Sequence, residues 1–269
     1  MPTYSVPEWV HPGGLRPREE STRPENRVFG GNPNIPVYRE AMPIIPKSDW
    51  DDMLAVVNRP ECSSLVWNIY NQASVGSCAA EAENKMGETI RELCGRPRIL
   101  FNAYATYHYT SGGRDNGSSL PDNVDFGFEK GCIREEKWPR SKGWKATPSD
   151  DAMQDALNYR FDECFDIDDS SRAAFETEIG SALLCGLPAY VGIPGHAILL
   201  TELLTKTTAK YANSWDKSWG ENGFGKVKLS ELVMGYGAFV VRAVRDAGEI
   251  VRVKYQLSRV NPAAYTLTT

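Results

Sequence analysis

Three widely separated motifs constrain how this chain can fold. One ends at Cys78 in Asn-Gln-Ala-Ser-Val-Gly-Ser-Cys, one is Gly-His-Ala around His196, and one is Asn-Ser-Trp beginning at Asn213. A thiol is an effective nucleophile only as the thiolate, which needs an imidazole within reach, and the imidazole needs a third group to hold its tautomer. The ordered set therefore predicts a fold that brings these three side chains together.

Cys78 lies at the start of a predicted helix. Apolar residues recur at three- and four-residue steps after it, and Gly95 suits the position just past the end. Ser77 can cap the first turn, so we expect the helix to extend to about Cys94. The free N–H groups and the dipole of that turn would stabilise a thiolate by about 0.3 to 1 kcal/mol at an exposed site.

The rest of the pattern predicts helices first and strands afterwards. Helical periods occupy residues 98–109, 150–159 and 171–185. After Leu187 the apolar residues form short or alternating runs, as in the strands of an antiparallel sheet. These runs are residues 189–193, 197–204, 210–214, 225–229 and 238–244. We therefore predict an α+β fold in which a helical lobe packs on an antiparallel, β-barrel-like lobe, with the site between them.

Composition divides the chain into four predicted parts. Residues 1–46 are rich in Pro, Gly and Arg without a sustained apolar period, which predicts an extended N-terminal arm. Residues 47–160 would form the helical lobe with the nucleophile, 161–248 the β lobe with the histidine and asparagine, and 249–269 a C-terminal extension. The arm is either a disordered tail or a strap that docks on this chain or on a neighbouring protein.

Charge and hydropathy exclude several classes of partner. The formal net charge is -5 and there is no long basic run, which argues against nucleic acid or an anionic membrane. The N-terminus lacks a basic start and an apolar stretch, and no later segment is long enough to span a bilayer. We therefore expect a cytoplasmic protein.

Cofactor and metal signals are also missing from the sequence. The six cysteines form no CxxC pair and have no histidines at zinc spacing, so we expect reduced thiols and no metal. No P-loop or dinucleotide motif occurs, so no cofactor is expected. The acidic stretch 162–169 lacks the spacing of a calcium loop, and we interpret it as a solvated surface.

Each motif residue also has a plainer interpretation. Taken alone, Cys78 would be a small buried residue, Asn213 a turn residue, and Trp215 and Trp219 core residues. Of the three histidines, one lies in the arm and one among tyrosines, which leaves His196 as the candidate base. The ordered set, rather than any single residue, favours a functional site.

At these residues the sequence resembles the papain-like cysteine peptidases. The family motif of Gln followed six positions later by the nucleophile matches Gln72 and Cys78, and its His-Ala strand motif matches His196. Its Asn-Ser-Trp and Trp-Gly-Glu-Asn-Gly motifs match residues 213–215 and 219–223. The likeness extends from about Trp50 to Val244. Residues 115–118 and 131–139 are similar to the bacterial and phage-type branch.

The resemblance implies a papain-like fold and a role for each matching residue. Cys78 would attack the scissile carbonyl, and His196 would pair with the thiolate and later protonate the leaving amine. Asn213 would orient the imidazole. The side-chain amide of Gln72 and the backbone N–H of Cys78 would form the oxyanion hole, each donor lowering the barrier by about 2.7 to 4 kcal/mol.

Other positions are implied to support the site. Trp215 would cover the contact between His196 and its asparagine, with Trp219 behind it. Gly117 and Ser118 would line the cleft and pair with the backbone of an extended peptide, as the paired glycines of the family do.

The chain departs from the family pattern in several places. Ala79 follows the nucleophile, where an aromatic residue is usual, and Asp216 replaces the usual glycine after Asn-Ser-Trp. Val75 and Asp115 stand where disulfide-bonded members have cysteines, which fits a reducing compartment. Before His196 the chain lacks the long excursion of the family, so one wall of the cleft should be missing or supplied from elsewhere.

Three functions remain open from the sequence. The first is a cysteine peptidase that acts on a polypeptide through an acyl-enzyme, with the arm against the body as a latch. The second is a papain-fold binding or structural component of a larger assembly, for example a virion, with weak or no catalysis and the arm holding protein neighbours. The third is acyl transfer to an amine by the same residues.

Overall fold

The computed structural model describes residues 14–18, 35–55 and 62–254. The α-helices in these ranges are α1 (Tyr38–Ala41), α2 (Trp50–Leu54), α3 (Cys78–Leu93), α4 (Ala103–Thr110), α5 (Leu120–Glu129), α6 (Asp150–Ala156) and α7 (Arg172–Leu184). The strands are β1 (Phe161–Asp166), β2 (Ala189–Ile193), β3 (His196–Thr205), β4 (Thr208–Ala212), β5 (Phe224–Lys228), β6 (Ala238–Asp246) and β7 (Glu249–Arg252). Among these helices, none is both long and apolar enough to cross a membrane.

The strands form a single antiparallel sheet in the order β1-β6-β2-β3-β4-β5, with β7 paired to β6. Strands β2 and β3 are joined by a two-residue turn, and Ile193 lies opposite His196. Because the helices precede most of the strands, the architecture confirms the predicted α+β class. The proposed division of the chain into four parts stays a prediction. Strand β7 lies in the predicted C-terminal extension and pairs with β6 of the sheet.

Helix α3 is the central element. Every residue from Cys78 to Arg91 is buried, including the charged ones. Two of those charges form ion pairs, Glu81 with Arg140 and Arg91 with Asp246. Small residues on the other faces let the sheet approach closely, so the first residue of the helix is fixed against strand β3.

Two helix predictions need correction. Ser77 precedes α3 but does not cap it, since its hydroxyl donates instead to Glu81 Oε1 at 2.9 Å. Helix α4 begins at Ala103 rather than at residue 98, because Phe101 pairs with a neighbouring segment and Asn102 caps the helix by accepting two backbone N–H bonds.

Helix α5 was not predicted from the sequence. Ser119 caps it by accepting from Asp122 N at 3.2 Å, and a proline occupies the second helical position. Such a cap followed by proline is a recognisable helix start. The apolar pattern that follows is interrupted by Asp, Asn and Gly, so no clear helical period results.

The interpretation of residues 162–169 as a solvated surface is wrong. Most of the segment belongs to β1, and Asp166, Asp168 and Asp169 are buried. The reason is that arginines from the N-terminal region cover these carboxylates: Arg18 pairs with Asp166, and Arg39 with Asp168. A long-range pairing of this kind leaves no local signal.

The described parts of the arm lie on the body. Residues 14–18 cross the surface near Cys78, and Val37 forms a bridge with Asp166. These contacts fit a strap that docks on the same chain, and the arm as a separate part of the chain stays a prediction. The other arm residues, 1–13 and 19–34, lie outside the described ranges, and so do residues 255–269 of the predicted C-terminal extension. The interpretation of the arm as a disordered tail is therefore not addressed for those residues.

Candidate active site

Cys78 is the first residue of α3, and its side chain is fully buried. The backbone N–H of Ala197, next to His196 on β3, lies within hydrogen-bonding reach of the thiol. Tyr190 on β2 donates to the Ala79 carbonyl at 2.9 Å, which holds the hairpin of β2 and β3 against the start of the helix. The predicted meeting of helix and strand is therefore present.

His196 contacts Asn213 through Nε2, which lies 2.7 Å from Asn213 Oδ1. The same oxygen accepts from the Ser214 N–H at 2.8 Å, so it is the carbonyl oxygen that faces the imidazole. Nε2 therefore carries the proton, and Nδ1 is the nitrogen left to act as a base.

Two tryptophans pack around this pair. Trp215 stacks on the His196 ring at 4.5 Å with an interplanar angle of 29°. Trp219 meets Trp215 edge-on at 5.3 Å and 89°. Both indoles are buried, so the histidine and asparagine are shielded from water on this side.

Gln72 is held beside the Asn213 segment. Its backbone N–H donates to the Ser214 carbonyl at 2.9 Å, and its side-chain oxygen accepts from the Ser214 hydroxyl at 2.7 Å. Its side-chain nitrogen donates to the Val75 carbonyl at 3.0 Å, which leaves the second amide hydrogen for another acceptor.

The predicted peptide-binding residues differ in what they contact. Ser118 donates its backbone N–H to the Gly14 carbonyl at 3.3 Å and accepts from the Arg16 N–H at 3.0 Å, as in a parallel strand pair. Gly117 makes no such bond with the arm, because its N–H donates to the Tyr107 hydroxyl at 3.0 Å. Of these two residues, the structure pairs Ser118 with the described part of the arm.

That segment covers the thiol. A Cβ atom built on Gly14 would lie 2.9 Å from Cys78 Sγ and 3.2 Å from the Gly76 carbonyl, so no larger residue fits at this position. Next to it, Leu15 is buried against Gly192 of β2, where Tyr236 also packs. The cleft wall that the short hairpin lacks is therefore supplied by the arm and by Tyr236.

Burial under the arm keeps the pair neutral. Desolvation raises the pKa of Cys78 to about 12, and it lowers the pKa of His196 to about 4, with the nearby Lys85 ammonium adding to the second effect. Removing either charge from water is costly in a buried site. The covered site therefore disfavours the thiolate and imidazolium that catalysis would use.

Lys85 is a buried contact that sequence reasoning missed. Its ammonium donates to the Asn213 backbone carbonyl at 2.6 Å, and burial lowers its pKa to about 8. It follows Cys78 by seven residues, two turns along the same helical face. That spacing is the signal that could have identified it.

Asp115 was noted from the sequence as the residue in a cysteine position and as the first residue of the loop 115–118. Its carboxylate accepts from the Gly76 N–H at 2.8 Å and from the Tyr107 hydroxyl at 2.9 Å. Tyr107 in turn holds Gly117. A hydrogen-bonded link thus joins the loop before the nucleophile to the loop that pairs with the arm.

The departure at Asp216 has a backbone cause. Asp216 has a φ of +71°, the left-handed region that favours glycine. Its side chain accepts from the Ser218 N–H at 3.0 Å, a local bond that helps aspartate adopt this conformation.

Metal ligands are not gathered here. Within the described ranges, no group of three or more His, Cys, Asp or Glu side chains is arranged to hold a metal ion. The chemistry available to the site is that of a thiol, an imidazole and amide donors.

Solved structures with a similar arrangement of elements include cysteine proteases. Xylellain, a cysteine protease from Xylella fastidiosa, aligns with a TM-score of 0.62 over 88% of this chain and 98% of its own, at 16% identity. Digestive procathepsin L 3 from the larval midgut of Tenebrio molitor gives 0.58 over 77% and 75%, at 13% identity. The ragweed pollen allergen Amb a 11, a cysteine protease in its proform, gives 0.54 over 75% and 71%, at 15% identity.

The chain therefore has the papain-like cysteine protease fold, as predicted. No family model matches its sequence, and no curated protein matches it. At these identities the likeness shows the fold alone. The placement in the bacterial and phage-type branch stays a prediction.

Proposed function

We propose that this chain is a cysteine peptidase whose cleft is closed by its own N-terminal arm. The observation that carries the proposal is that the cleft holds an extended peptide segment directly over the thiol. Residues 14–18 pair by backbone hydrogen bonds with Ser118, and Gly14 lies against Cys78 Sγ. A groove that accommodates one extended peptide above a nucleophile suits a polypeptide substrate.

Hydrolysis would follow from the geometry once the arm leaves. His196 Nδ1 takes the proton of the Cys78 thiol, and the sulfur forms a bond to the carbonyl carbon of the substrate. The Cys78 N–H and the second amide hydrogen of Gln72 stabilise the oxyanion. The C–N bond then breaks as His196 gives its proton to the amine, and water attacks the thioester by the same route in reverse.

Opening also changes the electrostatics. Water that enters after the arm leaves reduces the desolvation that raises the pKa of Cys78 and lowers that of His196. The ion pair then becomes more favourable. Latency thus has two components, a blocked groove and a neutral pair.

The proposal is tested by cutting the arm after folding. A specific protease site inserted within residues 19–34 would allow the full chain to fold and then be severed from residues 14–18. Hydrolysis of a mixed peptide library should appear only after cutting, and Cys78→Ser or His196→Ala should reduce it by about 10⁴-fold. Equal hydrolysis by the severed Cys78→Ser chain would assign the activity to a contaminant and remove the proposal.

A binding or structural component of a larger assembly, such as a virion, is the second candidate. The observation that favours it is the covered, neutral pair. Iodoacetamide labelling of the severed chain at about pH 6 separates the two, because an activated thiolate reacts at a pH where ordinary thiols are protonated. Cys78 labelling no faster than the half-buried Cys94 would favour the assembly component.

Acyl transfer to an amine would use the same residues and is resolved by product analysis. Adding a primary amine to the severed chain should leave the hydrolysed peptide as the main product if water is the acceptor. A cytoplasmic location, or a place in a viral particle, stays a prediction from the sequence.

A further inference from the structure

Arg18 of the arm lies in a buried acidic pocket. Its side chain is 1% exposed, and its guanidinium nitrogens lie 3.0 and 2.5 Å from the two oxygens of Asp166. Asp169 Oδ2 is 3.9 Å away, and both carboxylates are at most 1% exposed. Two parallel contacts to one carboxylate use the planar fork of arginine, which lysine lacks.

The other walls of the pocket also fit a guanidinium. The Phe239 ring lies 5.6 Å from Arg18 Cζ, within the range of a cation–π contact. Gly237 has a φ of +76°, and a Cβ built on it would lie 3.0 Å from Arg18 Nη1. The backbone N–H of Arg18 donates to the Gly235 carbonyl at 2.9 Å. Backbone and side chain of the arginine are therefore both held.

The pocket belongs to the body, not to the arm. Asp166 ends β1 and is 148 residues from Arg18 in the sequence. Buried carboxylates without a cation are strongly unfavourable. The pocket therefore favours a bound arginine, whether it comes from the arm or from another peptide. Arg16 provides the contrast: it is 39% exposed and reaches Asp122 at 3.3 Å.

We propose that Asp166, Asp169 and Phe239 form an arginine-binding subsite at one end of the cleft. In the closed chain it holds the arm through Arg18, and after opening it binds the arginine of another extended peptide. Because Leu15 fills the apolar position beside β2, the ligand has an apolar residue three positions before its arginine. The inference rests on the cleft being the peptide cleft proposed above, but not on hydrolysis.

Thiol accessibility in the full chain tests the closing role. Arg18→Ala should increase the rate at which iodoacetamide labels Cys78 by roughly 100-fold, since breaking a buried ion pair is strongly destabilising. Arg16→Ala, the matched control, should accelerate labelling far less, because the partly exposed Arg16 side chain donates to the Thr110 carbonyl at 2.9 Å and to Asp122 at 3.3 Å without a buried ion pair. Cys62 and Cys132 are buried elsewhere and should stay protected if the fold is intact. No acceleration in Arg18→Ala would overturn the proposal.

Chemical rescue tests the preference for a guanidinium. Ethylguanidinium at millimolar concentration should slow the labelling of Arg18→Ala, while ethylammonium and ethylurea should not. Adding Asp166→Asn to the same chain should abolish the rescue. Equal protection by ethylammonium would show a site for any cation and would contradict an arginine subsite.

Peptide binding tests the open state and covers the case in which Arg18→Ala unfolds. The probe is a labelled peptide of residues 12–20, added to the severed Cys78→Ala chain after the cut segment is washed away. It should bind at least about tenfold more tightly than the same peptide with citrulline in place of Arg18. Equal affinities would refute the subsite. Because this variant lacks the thiol, a failure of the proposed peptidase activity would leave the result unchanged.

Discussion

Gly14 allows the arm to cover the Cys78 thiol because it has no side chain. A Cβ on Gly14 would lie 2.9 Å from Cys78 Sγ, closer than side-chain contacts allow, and 3.2 Å from the Gly76 carbonyl, which is tight. The Pro- and Gly-rich sequence around this residue predicted an extended arm, but nothing local indicated that Gly14 lies over the thiol. At this scale the sequence indicated which residues would form the candidate site, and only long-range contacts show what covers them.

Replacing Gly14 should open the site. Gly14→Ala forces the arm away from the thiol, because backbone atoms of Gly76 are among those it would meet. We expect Cys78 to label with iodoacetamide about tenfold faster or more, in line with an overpacking cost of about 1 to 3 kcal/mol. Gly235→Ala is the control, since a Cβ there meets no atom within 4 Å. Unchanged labelling in Gly14→Ala would show that the segment does not lie over the sulfur.

His196 should titrate near pH 4 in the closed chain, and its pKa should rise after the arm is severed. Because its folded pKa lies below the ordinary 6.5, the unfolded chain binds more protons in that window. The contribution of His196 to the free energy of unfolding therefore falls as the pH drops from 6.5 towards 4. NMR of the imidazole protons measures this, and His196→Gln assigns the signal. A midpoint near 6.5 in the closed chain would contradict it.

At the scale of elements, helices and strands with a strong apolar period could be predicted from the sequence. Elements whose charges are neutralised by distant residues could not. Strand β2 has no charged residue and β6 begins with four apolar residues, and α3 begins where its spacing predicted. Strand β1 was missed because its charges are neutralised from a distance, as in the pair of Glu163 with Arg242 at 2.5 Å. Helix α5 was missed because packing, rather than intrinsic propensity, stabilises it.

The link through Asp115 should control how firmly the cleft loop is held. Asp115→Ala leaves the Gly76 N–H and the Tyr107 hydroxyl without their acceptor, and an unsatisfied buried donor costs about 1 to 3 kcal/mol. We expect faster hydrogen exchange at the Gly76 and Gly117 amides and about tenfold lower kcat/KM in the severed chain. Tyr107→Phe should affect Gly117 but spare Gly76. Unaltered exchange at both amides in Asp115→Ala would show that the carboxylate does not support the loop.

The whole molecule is assembled from segments that are remote in sequence. Residues 35–55 pack behind the sheet, where the fully buried Trp50 ring lies against Gly180 of α7. The sequence indicated an arm and a possible latch, yet its route could not be derived. The arm is held by individual side chains and backbone hydrogen bonds. Such contacts leave no periodic pattern in the sequence from which the route could be predicted.

Trp50 should be a main contributor to global stability. Gly180→Ala would place a Cβ 2.1 Å from the indole, so the free energy of unfolding should fall by about 1 to 3 kcal/mol. Urea denaturation measures the loss. Adding Trp50→Phe, which shortens the ring system, should recover part of it. If Gly180→Ala is as stable as the parent chain, residues 35–55 do not pack on α7 as described.

Because Arg18 pairs with Asp166 while the arm lies over Cys78, release of the arm would expose the sulfur and the Asp166 carboxylate together. An activated molecule would then differ from a resting one in surface charge as well as in reactivity. An anion-exchange column should retain the activated form longer than the resting form. The activated fraction of a preparation can therefore be measured before a substrate is added.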